Sequence, residues 1–156
     1  MLEIRRRRFF SKGYIAEENG VVVAELSQSA WRARGEMMID GKSFVIKKQG
    51  ALKETFTLWD GDLPLVEVRQ IGAFRSTFEF NSGGGSYRMR RKAWYSSSYL
   101  VERNSMVVGS VRPRGLFASG VIVELPTELP LAARVFIGWI ALVRQEAAAA
   151  AAVAGA

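Results

Sequence analysis

The sequence predicts an all-β domain with one helix: roughly twelve antiparallel strands closed into a barrel around a central hydrophobic helix near the C-terminus. Three observations carry this. Turn-forming pairs recur at even intervals: Asn19-Gly20, Asp40-Gly41, Asp60-Gly61-Asp62, Gly83-Gly84-Gly85 and Arg103-Asn104. Short runs of β-branched, aromatic and other apolar residues flank each of them. The stretch from Leu131 to Val143 is apolar on every side, with Arg134 its only charge.

The strands follow in order. Asn-Gly and Asp-Gly supply the positive φ angles that tight hairpin turns need. They join Tyr14-Ile15 to Val21–Val23, Met37–Ile39 to Phe44–Ile46, Phe56–Leu58 to Val66–Val68, and Phe78–Phe80 to Tyr87–Met89. Tyr99–Val101 and Met106–Val108 form the fifth pair. Five hairpins give ten strands. Residues 2–10 add one before them and Val121–Val123 one after, twelve in all.

Pro126 and Pro130 then punctuate the chain, and Thr127 is a candidate N-cap for a helix over about residues 128–146. A helix that is apolar all round belongs inside a protein or in a membrane. Thirteen apolar residues span about 20 Å, short of a bilayer's roughly 30 Å hydrocarbon core, which favours a buried helix over a membrane anchor. A barrel of more than about eight strands leaves a lumen that must be wet or plugged, and this helix is available as the plug. Residues 147–156 form an Ala-rich tail, compatible with a helical extension or a frayed end. Residues 1–146 thus make one domain.

Composition narrows the chemistry. At 156 residues, 49% hydrophobic and 24% charged, the chain has the make-up of one globular unit. It has no Cys and no His, which removes disulfides, thiolate nucleophiles, the commonest general base and the commonest transition-metal ligand. No secretory signal pattern opens it, so a cytoplasmic protein is expected. Glu67 and Glu79 alternate with apolar neighbours and face outward, leaving no convincing carboxylate pair for catalysis. Gly83–Gly85 is not followed by a Lys-Ser/Thr pair and a helix, so it reads as a hairpin tip and not as a phosphate loop. No enzyme activity, cofactor or metal is expected.

The charge is informative. A net +7 is concentrated in two blocks. Arg5, Arg6, Arg7, Arg8 and Lys12 oppose Glu3. Arg88, Arg90, Arg91, Lys92, Arg103, Arg112 and Arg114 oppose Glu102. Alternate residues of a strand share a face, so Arg88, Arg90 and Lys92 line one side while Tyr87 and Met89 face the other. Aligned cations engage phosphates, and Trp94, Tyr95 and Tyr99 nearby suit a lipid interface, stacking on bases or the core. Arg5 to Arg8 place cations on both faces of the first strand, which reads as an exposed, fraying end in preference to the alternative of a functional cavity.

The opening basic strand Ile4 to Phe10 carries a resemblance to a known family. So do the paired strands of Gly35-Glu-Met-Met-Ile-Asp-Gly-Lys-Ser-Phe-Val-Ile46 and the closing Val121-Ile-Val-Glu-Leu-Pro-Thr-Glu-Leu-Pro-Leu131 leading to Trp139. Over nearly its whole length the chain resembles the tubby-like superfamily, nearest the LURP-one-related and phospholipid-scramblase-like branch. That resemblance implies the helix-plugged barrel and phosphoinositide binding through basic residues. The chain departs from the scramblase pattern in lacking a Pro-rich N-terminal extension, a Cys cluster for acylation and an acidic calcium loop. Asp60-Gly61-Asp62 is too short to give Ca²⁺ its six or more oxygens.

The expectation is a non-enzymatic, monomeric module docking on anionic phospholipid or phosphoinositide headgroups at a membrane surface. Arg88, Arg90, Lys92, Arg5, Arg6, Arg7 and Arg8 are the candidate ligands. A soluble structural barrel with a protein partner is the second reading, and a single-stranded nucleic-acid binder the third.

Overall fold

Alternation of inward apolar and outward side chains, interrupted by register shifts, organises the chain into a closed sheet. The computed structural model describes residues 1–7, 13–27, 34–50, 53–72, 77–115 and 120–155. The strands are β1 (Leu2–Arg6), β2 (Gly13–Glu18), β3 (Val21–Ser27), β4 (Arg34–Ile39), β5 (Lys42–Gln49) and β6 (Thr55–Asp60). They continue with β7 (Leu63–Ile71), β8 (Thr77–Ser82), β9 (Gly85–Arg91), β10 (Tyr99–Arg103), β11 (Met106–Pro113) and β12 (Gly120–Glu124). Each pairs antiparallel with its chain neighbours, and β1 pairs with β12 to close the twelve-stranded barrel. The register shifts fall in the β2–β3, β6–β7 and β10–β11 pairs.

The expected fraying of β1 is therefore wrong. It is hydrogen-bonded on both sides, with Leu2 opposite Val123 and Glu18, and Ile4 opposite Val121 and Ala16. Closure leaves no free edge, which is how such a sheet avoids pairing with another chain. The strand is also shorter than residues 2–10: it ends at Arg6, and residues 8–12 lie outside the described part.

Hairpin chemistry gathers the tight turns at one end. Asn19 and Gly20 have φ of 52° and 81°, and Asp40 and Gly41 have 49° and 73°. This is the left-handed pair of a two-residue hairpin. The fifth turn is shifted by one residue from the sequence reading: Asn104 and Ser105 take positive φ, and Arg103 closes β10. This end is called the turn rim. The odd-numbered strands β1 to β11 run from it to the opposite end, the loop rim.

α1 (Leu131–Ala154) threads the lumen from the turn rim to the loop rim. It starts a few residues later than a Thr127 cap implies. Leu129 precedes a proline, which disfavours the α region, and the first helical bond runs from the Arg134 N–H to the Pro130 carbonyl. Pro130 is the N-cap and no side chain caps the end. Residues 135 to 143 are all buried, so the all-round apolar run meets barrel wall on every side. Trp139 is fully buried, edge-on to Phe56 at 6.2 Å and stacked with Phe136 at 6.4 Å. The Ala-rich segment continues the helix to Ala154.

Gly138 explains how the helix sits. It faces β1 and β12, where a Cβ would meet Ile4 Cδ1 at 2.7 Å and also press on Val123 Cγ2. A mid-helix glycine costs about 1 kcal/mol relative to alanine, and close approach to these strands offsets it. Gly138→Leu is expected to destabilise by about 1–3 kcal/mol through overpacking, lowering the melting temperature by about 3–10 °C. Ala148→Leu, on the exposed part of the same helix, should leave it unchanged. Equal melting curves for wild type and Gly138→Leu would show that this helix face is not packed.

Candidate functional site

The barrel wall arranges the predicted basic face as its alternation requires. Tyr87 and Met89 point into the core and Arg88 points outward. The outward cations are not alone, however. Arg88 bonds Glu79 across the β8–β9 pair at 3.1 Å, and Arg90 bonds Glu102 across β9–β10 at 2.8 Å. Glu79 is thus an outward residue, as predicted, and its role is to pair. Lys92 lies just past the end of β9, its N–H on the Ser98 carbonyl at 2.9 Å. A shallow depression of about 700 Å³ on this wall is lined by Glu67, Arg69, Glu79, Arg88 and Glu102 among others. Its charges alternate in sign, so it presents no strong field to an anion.

The N-terminal arginines are held in the same way. Arg5 bonds Glu17 at 2.6 Å on the outside of the barrel, and Arg7 lies 3.8 Å from Glu25. Arg6 shares the inward parity of Leu2 and Ile4 but sits at the loop rim, where Glu146 of α1 receives it at 2.8 Å. That hydrogen bond holds the guanidinium pKa above its ordinary value, against the opposing effect of partial burial. Tyr14 donates to the same carboxylate at 2.7 Å. Arg8 lies outside the described residues.

The two rims differ sharply in charge. The loop rim comprises the two strand residues nearest it, its connections and α1 beyond Val143. There, β1 and its extension contribute Arg5, Arg6 and Arg7, and β4 and β5 contribute Arg34 and Lys48, followed by Lys53. The β9 end adds Arg90, Arg91 and Lys92, the β11 end Arg112 and Arg114, and α1 Arg144. Within the rim so defined lie only two described carboxylates, Glu54 and Glu146, while Glu3, Glu17, Glu25, Glu102 and Glu124 reach five of its cations from along the wall. The turn rim, counted likewise with the first turn of α1, holds Glu3, Glu17, Glu18, Asp40, Asp60 and Asp62, then Glu102, Glu124 and Glu128. Lys42, Arg103 and Arg134 oppose those nine.

Eight of the twelve loop-rim cations are matched to carboxylates. Arg34, Lys53, Arg91 and Lys92 have no carboxylate partner among the described residues. Arg34, Lys53 and Lys92 are exposed, and they stand at separate positions around the rim.

Beside them, the β9–β10 connection presents Trp94 and Tyr95, exposed by 86% and 77% and edge-to-face at 5.5 Å. Its backbone is fixed by Ser96 N–H to the Ala93 carbonyl at 3.0 Å and Arg91 to the Trp94 carbonyl at 3.4 Å. Tyr99, the third aromatic of this segment, is buried in the core.

A polar cluster locks the helix where it leaves the barrel. Arg144 pairs with Glu54, which also takes Lys48 at 2.9 Å, and lies over the Phe78 ring at 5.4 Å. Gln145 donates to the Ser97 carbonyl at 2.7 Å. At the other end Arg134 bonds Glu18 at 2.9 Å. Sequence reasoning missed this lock, because the partners are far apart in the chain and only topology joins them. The rim polarity had a readable signal: with tight turns at one end, the alternate connections must share the other, and their composition could have been compared.

Among the described residues no group of three or more His, Cys, Asp or Glu side chains comes together as a metal site. No protein-family model matches the chain, and no curated protein and no solved structure is significantly similar to it.

Because Arg144 and Glu54 are mostly shielded from solvent, with 16% and 19% exposure, loss of one partner strands the other. Glu54→Gln leaves Lys48 and Arg144 facing each other and is expected to cost about 2 kcal/mol. Glu79→Gln, on the open wall, should cost under about 0.5 kcal/mol. Chemical denaturation of both variants checks this, and equal midpoints would show that the lock contributes no more than a surface pair.

Proposed function

We propose that the protein is a non-enzymatic, tubby-like barrel that binds anionic phospholipid headgroups at a membrane surface, and that the loop rim is its contact face. The observation that carries this reading is the segregation of basic charge to one end of the barrel. A surface of one sign attracts a surface of the other over a screening length of roughly 10 Å at 0.1 M salt. Exposed Trp94 and Tyr95, in the same connection as Lys92, suit the polar–apolar boundary of a bilayer.

The contact assigned here differs from the aligned wall face. Arg88 and Arg90 already have carboxylate partners at hydrogen-bonding distance. Recruiting them to phosphate would mean exchanging one anion for another. Arg34, Lys53 and Lys92 carry no such cost. Arg5, Arg6 and Arg7 are tied to Glu17, Glu146 and Glu25, and those pairs add little to the field at long range.

Each basic residue near an anionic surface contributes about 1 kcal/mol. Neutralising Arg34, Lys53 and Lys92 together should therefore weaken partitioning onto phosphatidylserine-containing vesicles about a hundredfold. Arg88→Ala should change it by less than about fivefold. Sedimentation with vesicles measures both, and circular dichroism should show unchanged melting. Phosphatidylcholine vesicles should not bind, and added salt should release the protein. Indifference to anionic vesicles at low salt would defeat the reading, and retention of single-stranded RNA in their place would favour nucleic-acid binding.

A further inference from the structure

The helix does not stop where its packing stops. Val143 is the last buried residue of α1, and Arg144, Gln145 and Glu146 are tied to the rim by the contacts above. Beyond them Ala147 to Ala154 remain helical and all are exposed, with Val153 at 79%. Eight residues extend about 12 Å past the rim. The projection has no polar side chain, so a bare helical rod with no hydrophilic face stands in the middle of the most basic surface of the molecule.

The exposed aromatics are attached to it. The Gln145 side chain donates to the Ser97 carbonyl in the connection that bears Trp94 and Tyr95, which ties that connection to the helix exit. Alanine in water exposes apolar surface for no return, and a short exposed alanine helix is only marginally stable. A bilayer interface covers this surface, while the surrounding cations meet phosphate. About 12 Å of exposed helix reaches the headgroup layer and its acyl boundary. Taken whole, α1 is long and apolar enough to cross a membrane, but half of its most apolar window is buried inside the barrel.

We propose that the barrel docks end-on, with the Ala147–Val153 projection and the Trp94–Tyr95 tip entering the interface of an anionic bilayer and the turn rim facing away. This rests on the membrane-binding reading above and adds to it an orientation and an insertion element. The acidic turn rim is repelled by the same bilayer, which opposes the inverted pose.

The chain contains no Cys, so a single introduced cysteine carries a unique environment-sensitive fluorophore. Ala150→Cys probes the projection and Ser105→Cys probes the opposite rim. On vesicles of phosphatidylcholine with phosphatidylserine, the label at 150 should brighten at least about twofold, shift to the blue and be quenched by shallow nitroxide lipids. The label at 105 should do none of these. Ala149→Asp combined with Ala152→Asp should weaken vesicle binding about tenfold or more with unchanged melting, since both sites are exposed.

Sedimentation with vesicles while the label at 150 stays in water, or while the label at 105 responds, would overturn end-on docking and leave membrane binding standing. Absence of sedimentation for every labelled protein would remove both. A response at 150 that grows with protein concentration without vesicles would assign the projection to a second copy of the chain and overturn the proposal.

Discussion

A sheet of twelve strands, once closed, encloses more space than its inward side chains can fill, and the rest of the molecule is arranged around that excess. Water cannot occupy the lumen cheaply, because its lining is Leu, Ile, Val, Phe and Met. The chain supplies its own filling in α1, and this demand shows in the helix composition. An ordinary surface helix keeps a polar stripe; this one has none between Val135 and Val143, because no side of it faces solvent. Gly138 marks where the fit is tightest. The helix axis is drawn toward β1 and β12, the two strands whose pairing closes the barrel, so closure and plugging stabilise each other.

Threading a helix through a meander barrel also gives the two ends different work. The chain makes its economical two-residue turns at one end, where Asn, Asp and Gly are needed for backbone reasons. The opposite end receives the longer connections, free of that demand, together with the helix exit. Strands β9 and β11 end there, and the described connections that follow hold Lys92, Trp94 and Tyr95 in one and Arg114 in the other. Basic and aromatic residues thus recur in the loop-rim connections and acidic residues at the turn rim. The net charge of +7 conceals this, because two larger and opposite totals partly cancel in it.

The fold was legible because its signals are local. A hairpin turn is a dipeptide, a strand is a short alternation, and a buried helix is an uninterrupted apolar run. What escaped were features that depend on which distant segments meet. Arg5 and Arg6 looked like stray cations on a fraying strand, whereas closure puts Glu17 against one and Glu146 against the other. Arg88 and Arg90 were read correctly as outward but not as paired, since Glu79 and Glu102 are their neighbours only across the sheet. The start of the helix was missed for a local reason: Thr127 is a good capping residue, but Pro130 vetoes helix before it by restricting Leu129.

Pairing also separates charge that stabilises from charge that is available. On the wall, neighbouring strands bring Arg88 to Glu79 and Arg90 to Glu102, as cross-strand energetics favours. These pairs are short-ranged and nearly neutral from outside. At the loop rim registry ends, connections diverge and carboxylates are few, so Arg34, Lys53 and Lys92 keep their fields. Such cations, spread around a ring and not gathered in a pocket, cannot enclose one headgroup in a stereospecific site. In the proposed docking they would respond to the surface density of negative charge, and do so additively. Recognition of that kind would select a membrane by its charge and by the depth to which aromatic and alanine side chains enter it, with the identity of any single lipid secondary.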